Sequence, residues 1–322
     1  MLMRFLVLDK TQRIATTGKF PKRVSRILEE IDKHGYESTF AYYNSLQVEF
    51  ANDKTTITVD GEDIVSYTHI LLGGHYVTDN SYELKQLIVS VIDRWNKENP
   101  SKKILVQNAH AIKMMQEYTK TWMANICLQY NIPHLKTYFS ANRDYHLNIG
   151  PLEYPIILKI NSGENAIKLI DGEEKIKKNI YLVRSPEDWH EEVLDSIKEN
   201  DYIAQEFVDI GEDLRIFVSK GHVIAGWKRI SPPNSFLTVT KGSTYLYHND
   251  PTDAERTLAE TVARALRADF MAVDIIYKQG KPYVLELSLH PGFNAYETKC
   301  LDGDPVNIAD ALISSFSEEK NP

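Results

Sequence analysis

The spacing of apolar residues at the start of the chain indicates short strands alternating with helices. Residues 5–8 form an uninterrupted apolar run, which is typical of a buried strand. Apolar residues then recur every three to four positions at Val24, Ile27 and Ile31, and this spacing predicts an amphipathic helix that ends near Gly35. The first 105 residues are therefore expected to form a small α/β domain. Its other elements are predicted as strands at 38–43, 56–59, 70–72 and 104–106, and as a helix at 82–95.

The pattern changes after residue 105. An apolar residue recurs at every fourth position over 118–130, and the helix that this predicts must end before Pro133, because proline disfavours helical geometry in the residue before it. Ser185 and Pro186 predict the start of another helix, with the serine as cap and the proline in the first turn. Strands are expected at 155–160 and 203–208.

The last third of the chain is expected to be mostly antiparallel. Two predicted strands, 214–219 and 223–227, are separated by Lys220 and Gly221, which is the length of a hairpin turn. Thr252 and Glu255 have the spacing of a capping box and predict a helix start. Two more strands, at 270–277 and 283–287, are followed by a final helix from Asp304-Pro305 onward.

Composition and charge exclude several classes of protein. Hydrophobic residues make up 43% and charged residues 25% of the 322 residues, which is typical of a globular chain. The net charge of -8 argues against a general nucleic-acid or anionic-membrane binder, since both need a cationic surface. Cys127 and Cys300 are too few for a disulfide framework and lack zinc-ligand spacing. With no run of about 18 apolar residues and no signal-peptide pattern, a cytoplasmic protein without membrane or nucleic-acid partners is expected.

Two acidic residues stand inside otherwise apolar predicted strands. Burying an unpaired carboxylate costs several kcal/mol, so Asp274 and Glu286 need a cation or strong hydrogen-bond donors. A connecting loop of two or four residues would place them on opposite faces of the hairpin. A three-residue loop, 278–280, with a bulge would place them on the same face, and its glycine stands where such a loop needs one.

In that three-residue arrangement Asp274 opposes Val284, and Glu286 opposes Ala272. The two acids are then diagonal neighbours, and Ser288 shares their face. Oxygen ligands of this kind suit Mg²⁺, which binds one or two carboxylates together with nucleotide phosphates. Ion pairs with neighbouring lysine or arginine residues are an equally good explanation of the acid pair from pattern alone.

Several segments resemble, in order, the signature of the ATP-grasp ligases, and most closely the ribosomal-protein glutamate ligase (RimK-like) branch. The resemblance extends from about residue 105 to 315. The segments that carry it are Val106-Gln107-Asn108-Ala109, Lys120 before the helix that ends at Ile132-Pro133, Pro155-Ile156-Ile157-Leu158-Lys159, Gln205-Glu206-Phe207-Val208, Asp213-Leu214-Arg215, Trp227-Lys228-Arg229, Val273-Asp274-Ile275, Leu285-Glu286-Leu287-Ser288 and Pro291-Gly292-Phe293.

The resemblance implies an α/β (α+β) fold of the ATP-grasp type. A small N-terminal α/β domain would span 1–105. Two subdomains that sandwich ATP would follow: a central one with a lid at 106–198, and a C-terminal one with the metal site at 199–322. The lid is expected in 161–175.

The resemblance also implies roles for individual residues. Lys120 and Lys159 would contact nucleotide phosphates, and the phosphate-covering loop would contain Gly163. Arg229, Lys228 and Arg215 would be the catalytic cations; because neighbouring strand residues point to opposite faces, only one of Lys228 and Arg229 enters the site, and Arg229 is favoured. Other cofactor-binding residues would be Gln205, Glu206, Phe207, Val208 and Asp213, and the metal ligands would be Asp274, Glu286 and Ser288.

The activity that the resemblance implies is that of an ATP-dependent carboxylate–amine ligase. A carboxylate would attack the γ-phosphate to give an acyl phosphate and ADP, and an amine would then displace phosphate. ATP and two Mg²⁺ ions, or Mn²⁺ in their place, would be required, and an amino acid, a peptide or a protein terminus would be the substrate. Self-association is implied because dimers and tetramers are common among relatives.

Two alternatives remain open on the sequence. The phosphate loop is poor in glycine, with Ala166 and Lys168 at later positions where relatives have glycine, and Ser288 replaces the usual asparagine. These departures favour a catalytically weakened nucleotide-binding or scaffold protein. The other alternative is a small-molecule binder in which the acid pair is accidental.

Overall fold

The computed structural model describes most of the chain, and the following account is confined to that part. The described residues are 3–10, 21–51, 53–74, 80–162, 166–170, 173–177, 180–209, 211–230, 245–248, 250–299, 301–303 and 306–317. Gly163, Cys300 and the predicted helix start at Asp304-Pro305 lie outside these residues.

The described part of the chain contains eight α-helices and eighteen strands, and several runs of strands follow one another without a helix between them. The helices are α1 (Lys22–Lys33), α2 (Ser81–Glu98), α3 (Ala109–Met114), α4 (Lys120–Gln129), α5 (Glu191–Glu199), α6 (Asp253–Leu266), α7 (Asn294–Thr298) and α8 (Ile308–Ser317). The strands are β1 (Arg4–Asp9), β2 (Glu37–Tyr42), β3 (Leu46–Ala51), β4 (Lys54–Val59), β5 (Glu62–Asp63), β6 (His69–Leu72), β7 (Leu105–Val106), β8 (Thr137–Tyr138), β9 (Ile156–Ile160), β10 (Ala166–Ile170), β11 (Glu173–Lys177), β12 (Ile180–Val183), β13 (Tyr202–Glu206), β14 (Glu212–Ser219), β15 (His222–Ile230), β16 (Tyr245–His248), β17 (Phe270–Lys278) and β18 (Lys281–Ser288).

The N-terminal part is built on a parallel sheet with the strand order β2-β1-β6-β7. The predicted α/β organisation of this part is confirmed, and the apolar run at its start is buried because a parallel sheet is covered on both faces. A small antiparallel sheet, β3-β4-β5, lies between β2 and β6 in the chain. Only its middle strand was predicted; β3 was missed although Leu46, Val48 and Phe50 alternate with polar residues along it.

The central part contains an antiparallel sheet with the order β12-β9-β13-β8 and a separate hairpin, β10-β11. The helix start predicted at Ser185 is wrong. Residues 186–188 form a single 3-10 turn, Ser185 makes no capping hydrogen bond, and α5 begins at Glu191. The Asp188 carboxylate accepts from the Arg184 amide at 2.7 Å and Trp189 Nε1 donates to Tyr154 Oη at 2.9 Å, so side-chain contacts hold this segment out of the helix.

The C-terminal part is an antiparallel sheet with the order β16-β15-β14-β17-β18, which confirms the predicted antiparallel arrangement; β16 was not predicted. Helix α6 packs on one face, and its capping box is confirmed: Thr252 Oγ1 accepts from the Glu255 amide at 3.4 Å, and Glu255 Oε2 accepts from the Thr252 amide at 2.9 Å. Among the described helices, none combines the length and the apolarity that crossing a bilayer requires.

The hairpin that carries the two acids differs from the prediction in its turn. Lys278 pairs with Lys281, so the turn has two residues, and Gln279 and Gly280 both have positive φ, at 52° and 73°. This is the backbone of a type I′ turn, which matches the twist of the flanking strands. The acids share a face for another reason: the register shifts after Asp274, which leaves Leu285 as the extra residue of a bulge.

Because of this bulge, Asp274 opposes Glu286 directly and Ala272 opposes Ser288. The predicted partnerships of Asp274 with Val284 and of Glu286 with Ala272 are therefore wrong. The prediction that Asp274, Glu286 and Ser288 share one face is confirmed by the register. The acids are directly opposed cross-strand neighbours, which is closer than the diagonal relation that the longer loop would give.

The two faces of the C-terminal sheet belong to different hydrophobic cores. One face packs against α4 and α6, through residues such as Ile216, Val273 and Leu258. The other face packs Phe217 and Trp227 against helices α1 and α8 and the N-terminal sheet. The N-terminal sheet and the C-terminal sheet therefore share one core.

Candidate active site

Four charged side chains project from the same face of the C-terminal sheet. Asp213 on β14 pairs with Arg229 on β15, and Arg215 on β14 pairs with Asp274 on β17. Successive strand residues alternate between faces, so Asp213 and Arg215 share a face, and the register aligns their partners on it. Glu286, opposite Asp274, adds a fifth charge on β18.

The Asp274 carboxylate is bound by two arginines. Arg215 donates from Nε to Oδ1 at 2.7 Å and from Nη2 to Oδ2 at 2.8 Å, and Arg229 Nη2 lies 2.9 Å from Oδ2. Burial alone would raise the pKa of Asp274, but the two guanidinium charges outweigh it and lower the pKa to about 2. The carboxylate is therefore ionised at neutral pH.

Arg229 occupies the centre of this network and is only 2% exposed. It donates from Nε to Asp213 Oδ1 at 2.6 Å and from Nη2 to the second oxygen of the same carboxylate. Its third nitrogen, Nη1, is buried and has no hydrogen-bond partner in the part of the chain that the structure describes. A buried, unpaired donor on a cation is costly, so this nitrogen is suited to an anionic oxygen brought in by a ligand.

Glu286 and Lys120 form the next ion pair, with Lys120 Nζ 3.2 Å from Glu286 Oε1. Lys120 is the first residue of α4, which is capped by Thr119 through a hydrogen bond from the Trp122 amide. The pKa of Glu286 is lowered, because the charges of Lys120 and Lys159 outweigh the effects of burial and of Asp274.

Lys159 lies across the cleft on β9, where Nζ donates to Gln205 Oε1 at 2.8 Å. Gln205 itself is 2% exposed, and its Nε2 donates to Thr137 Oγ1 at 3.1 Å. Burial lowers the pKa of Lys159 to about 8, against the opposing effect of Glu286. The lysine is thus mostly charged at neutral pH, and it donates a hydrogen bond to the neutral amide of Gln205.

Glu206, at the end of β13, connects the central part of the chain to the C-terminal part. Its Oε2 lies 2.6 Å from Lys278 Nζ, and its Oε1 accepts from the Lys136 amide at 2.9 Å. The two residues after β13 do not make such ion pairs. The Phe207 amide donates to the Pro155 carbonyl at 3.4 Å, and Val208 is half-buried in the following loop. The sequence placed Lys278 in the hairpin loop, whereas in the structure it is the last residue of β17 and the ion-pair partner of Glu206.

The structure does not bring Lys228 to the cluster. It lies on the opposite face of β15, half-exposed, 3.4 Å from Glu212. Strand alternation is the reason, and Arg229 takes the inward position. Asp213 does reach the cluster, but both of its oxygens accept from Arg229, so it positions that arginine.

The donor set fits a hard cation. Glu286 and Asp274 oppose each other, and the Ser288 hydroxyl shares their face, so the ligands are all oxygen. Within the ranges that the structure describes, no group of three or more histidine, cysteine and acidic side chains is arranged to hold a metal alone. Mg²⁺ does not need such a group, since it usually takes the rest of its ligands from phosphate and water.

Two aromatic residues lie at the edge of the cluster; from the sequence, Tyr296 could line the substrate pocket or lie in a surface loop, and Tyr118 was expected only on a helix face. The Tyr296 ring on α7 lies 5.8 Å from the Arg215 guanidinium carbon. Tyr118 Oη accepts from the Leu289 amide at 3.0 Å, just after Ser288, and burial raises the pKa of this phenol to about 12. Tyr118 has the spacing of a core aromatic residue, so no sequence signal distinguishes it.

Comparison with known proteins gives a family match over half of the chain. Residues 148–316 match a family model described as the RimK-like ATP-grasp domain. A coenzyme gamma-F420-2:alpha-L-glutamate ligase of Methanococcus maripaludis is 24% identical over 175 residues, which is 54% of this chain and 57% of that protein. The chain spans about half the length of the curated relatives it matches.

Solved structures share the fold over nearly the whole chain. The ATP-grasp ligase PsnB, complexed with minimal precursor, Mg and ADP, superimposes with a TM-score of 0.62 at 15% identity and covers 96% of both chains. The D-alanine–D-alanine ligase of Bacillus anthracis, complexed with ATP, gives 0.61 at 13% identity and covers 99% of this chain and 96% of that one. The ATP-grasp fold implied by the sequence is therefore confirmed.

Proposed function

The chain belongs to the RimK-like ATP-grasp family, and on that premise we propose that it is an ATP-dependent carboxylate–amine ligase. The observation that carries the proposal is the unpartnered, buried Nη1 of Arg229 within a cluster of ionised groups. Four cations, Arg215, Arg229, Lys120 and Lys159, surround three carboxylates, Asp213, Asp274 and Glu286. The cluster has an excess of positive charge, which suits an anionic nucleotide or acyl phosphate.

In the proposed reaction a substrate carboxylate attacks the γ-phosphate of ATP and releases ADP. The amine of a second substrate then attacks the acyl carbon of the acyl phosphate, phosphate leaves, and an amide bond remains. The chain needs no side-chain nucleophile, because phosphoryl transfer depends mainly on positioning and on charge neutralisation.

Each part of the cluster has a role in this proposal. Lys120 and Lys159 bind phosphate oxygens, and Gln205 keeps the Lys159 ammonium directed into the cleft. Arg229 Nη1 donates to an oxygen of the transferred phosphoryl group or of the tetrahedral intermediate, where charge develops. Asp274 and Asp213 fix the guanidinium groups of Arg215 and Arg229.

Glu286, Ser288 and Asp274 are the proposed metal ligands. When bound, Mg²⁺ would neutralise phosphate charge. Glu286 supplies the most accessible carboxylate, because Asp274 is held by both arginines. The resemblance supports two such ions, Mn²⁺ as a substitute, a cytoplasmic location and self-association, and these finer points are part of the proposal.

The substrates are proposed from the relatives. The matching curated proteins are named glutamate ligases, and PsnB is complexed with a minimal precursor. We therefore propose an amino acid or a peptide as the amine-bearing substrate. The adenine edge is proposed to lie at Glu206, Phe207 and Val208, where the chain leaves β13.

Calorimetric titration of a non-hydrolysable ATP analogue tests the nucleotide site. Wild type should bind it only with Mg²⁺, and Glu286→Gln should weaken binding at least tenfold, since a charged metal ligand is lost. Glu49→Gln is the matched control, because Glu49 is an exposed strand glutamate on β3. Absence of binding, or equal binding by both variants, would contradict the proposal.

Phosphate release from ATP in the presence of amino acids and peptides tests turnover. Nucleotide binding without any substrate-dependent release would favour the alternative of a nucleotide-binding scaffold. We do not favour that alternative, because the arginine–carboxylate network is fully assembled and leaves one donor of Arg229 free.

A further inference from the structure

The carboxyl ends of the parallel N-terminal strands meet at one edge of their sheet. Asp9 ends β1, Gly73 follows β6 and Gln107 follows β7. A Cβ on Gly73 would lie 2.7 Å from Asp9 Oδ1, so the ends of β1 and β6 approach each other closely. Ligands of open α/β sheets bind beyond this edge of the sheet.

Arg23, in the first turn of α1, brings two unpaired guanidinium nitrogens to the same region. Its Nε and Nη2 are buried and have no hydrogen-bond partner among the residues that the structure describes. Burial lowers the pKa of Arg23, and the nearby Asp9 charge opposes this effect without forming an ion pair with it. A structural arginine would be expected to satisfy these donors, because an unpaired buried cation costs several kcal/mol.

The two free nitrogens of Arg23 are the ones that the neighbouring arginines use for carboxylates. Arg215 binds Asp274 through Nε and Nη2, and Arg229 binds Asp213 through the same two atoms. This edge of a guanidinium matches the two oxygens of a carboxylate. Arg23 presents the same edge without a protein carboxylate on it.

Two further features fit an anion at this position. Helix α1 has no side-chain cap and no acidic residue in its first turn, so its N-terminal dipole is uncompensated. Gln107, at the same edge of the sheet, is fully buried, and neither its Nε2 nor its Oε1 has a hydrogen-bond partner within the described ranges. Its neighbour Asn108 donates from Nδ2 to the Leu289 carbonyl, directly after the strand that carries Glu286.

Contacts with α7 and the residue before it link Arg23 indirectly to Arg215. Its guanidinium carbon lies 5.9 Å from the centre of the Phe293 ring, and Phe293 directly precedes α7. The Tyr296 ring of α7 lies against Arg215. Helix α1 is fixed to α7 by the Arg26–Glu297 ion pair at 2.8 Å. Arg23 is thus held beside the active-site face.

We propose that Arg23 is a specificity-determining residue that binds a free carboxylate of the amine-bearing substrate. This inference rests on the proposed ligase function. It adds one requirement to that function: the amine-bearing substrate must itself carry a carboxylate, in addition to the carboxylate of the other substrate that reacts with ATP. An amine lacking that group would leave the guanidinium unpaired and would be rejected.

The test is saturation-transfer NMR with L-amino acids, each paired with its α-carboxamide. At least one amino acid should bind wild type about ten- to hundredfold more tightly than its carboxamide, the range expected for hydrogen bonds to a charged group. Arg23→Met should reduce the affinity of the acid to that of the carboxamide. Equal binding of acid and carboxamide, no binding of any amino acid, or no effect of Arg23→Met would overturn the proposal.

Controls separate this outcome from misfolding and from failure of the ligase proposal. Arg94→Met is the matched variant, since Arg94 is an exposed arginine on α2, and its binding should equal that of wild type. Arg23→Met should unfold at the same or a higher temperature, because it removes an unpaired buried charge; a lower unfolding temperature would assign Arg23 a structural role and overturn the inference. Amino-acid binding is measured with and without the ATP analogue, so a protein that fails to bind nucleotide still reports on Arg23.

Discussion

Replacing Asn108 with alanine is expected to lower the free energy of unfolding by about 4 to 5 kcal/mol. Asn108 is fully buried between the N-terminal and C-terminal sheets. Its Nδ2 donates to the Phe270 and Leu289 carbonyls, both at 2.8 Å, and its Oδ1 accepts from the Asp269 and Phe270 amides at 2.8 and 3.1 Å. One side chain thus satisfies four backbone groups that lie more than 160 positions away.

The magnitude follows from these contacts. Each of the four hydrogen bonds contributes about 1 kcal/mol net, and more where the abandoned partner stays buried. Asn108 also has a left-handed backbone, with φ at 57°, which asparagine tolerates and alanine adopts at a cost of about 1 kcal/mol. Urea unfolding followed by fluorescence and by circular dichroism measures the change.

Asn96→Ala provides the matched control. Asn96 on α2 makes two backbone hydrogen bonds, both to Ile104, at 2.8 and 2.9 Å, and alanine is a good helix former. Loss of the Asn96 side chain should therefore lower the free energy of unfolding by about 1.5 kcal/mol. If Asn108→Ala cost no more than Asn96→Ala, the hydrogen-bond accounting for Asn108 would be refuted.

Three further predictions concern local features. Burial lowers the pKa of His134 to about 4, so the unfolded chain binds more protons than the folded one between pH 6.5 and 4. The free energy of unfolding should therefore fall by about 3 kcal/mol as the pH drops through that window, and urea titrations should show a flatter pH profile for His134→Gln. Gln279→Asn should raise the unfolding free energy by about 0.5 kcal/mol and Gly280→Ala should lower it by about 1 kcal/mol, because both positions have positive φ; a three-residue loop would not respond in this way. Thr252→Ala should lower the free energy of unfolding by about 1 kcal/mol through loss of the cap on α6, whereas Thr252→Ser should keep most of that stability. Equal destabilisation by the two substitutions would contradict the capping role.

The sequence predicted the site residues better than their contacts. Asp274 and Glu286 were recognisable because carboxylates are costly inside apolar strands. The bulge at Leu285 was not, since Leu285 resembles any strand residue and its displacement depends on the register of the whole hairpin. Asn108 could be read only as part of a motif, because its partners on β17 and β18 are remote in the chain.

Local side-chain contacts explain the error at Ser185. The serine, proline and acidic residues favour a helix, but the Trp189 side chain is tied to Tyr154, which no spacing in the sequence reveals. The pairing of Asp274 with two arginines was similarly open, because the pattern allowed both a metal site and ion pairs. In the structure Asp274 makes the ion pairs, and the position of Glu286 stays compatible with the metal.

The core that α1 shares with α8 has a consequence for synthesis. Phe5 and Ile27 pack in the same cluster as Ile308, Leu312 and Phe316, which the ribosome adds roughly 200 residues after β7. At about 5–20 residues per second, the N-terminal sheet therefore waits roughly 10 to 40 s for the helix that completes its cover. During that interval its apolar face is exposed in the nascent chain, so chaperones that bind growing chains should associate with the N-terminal part until α8 emerges.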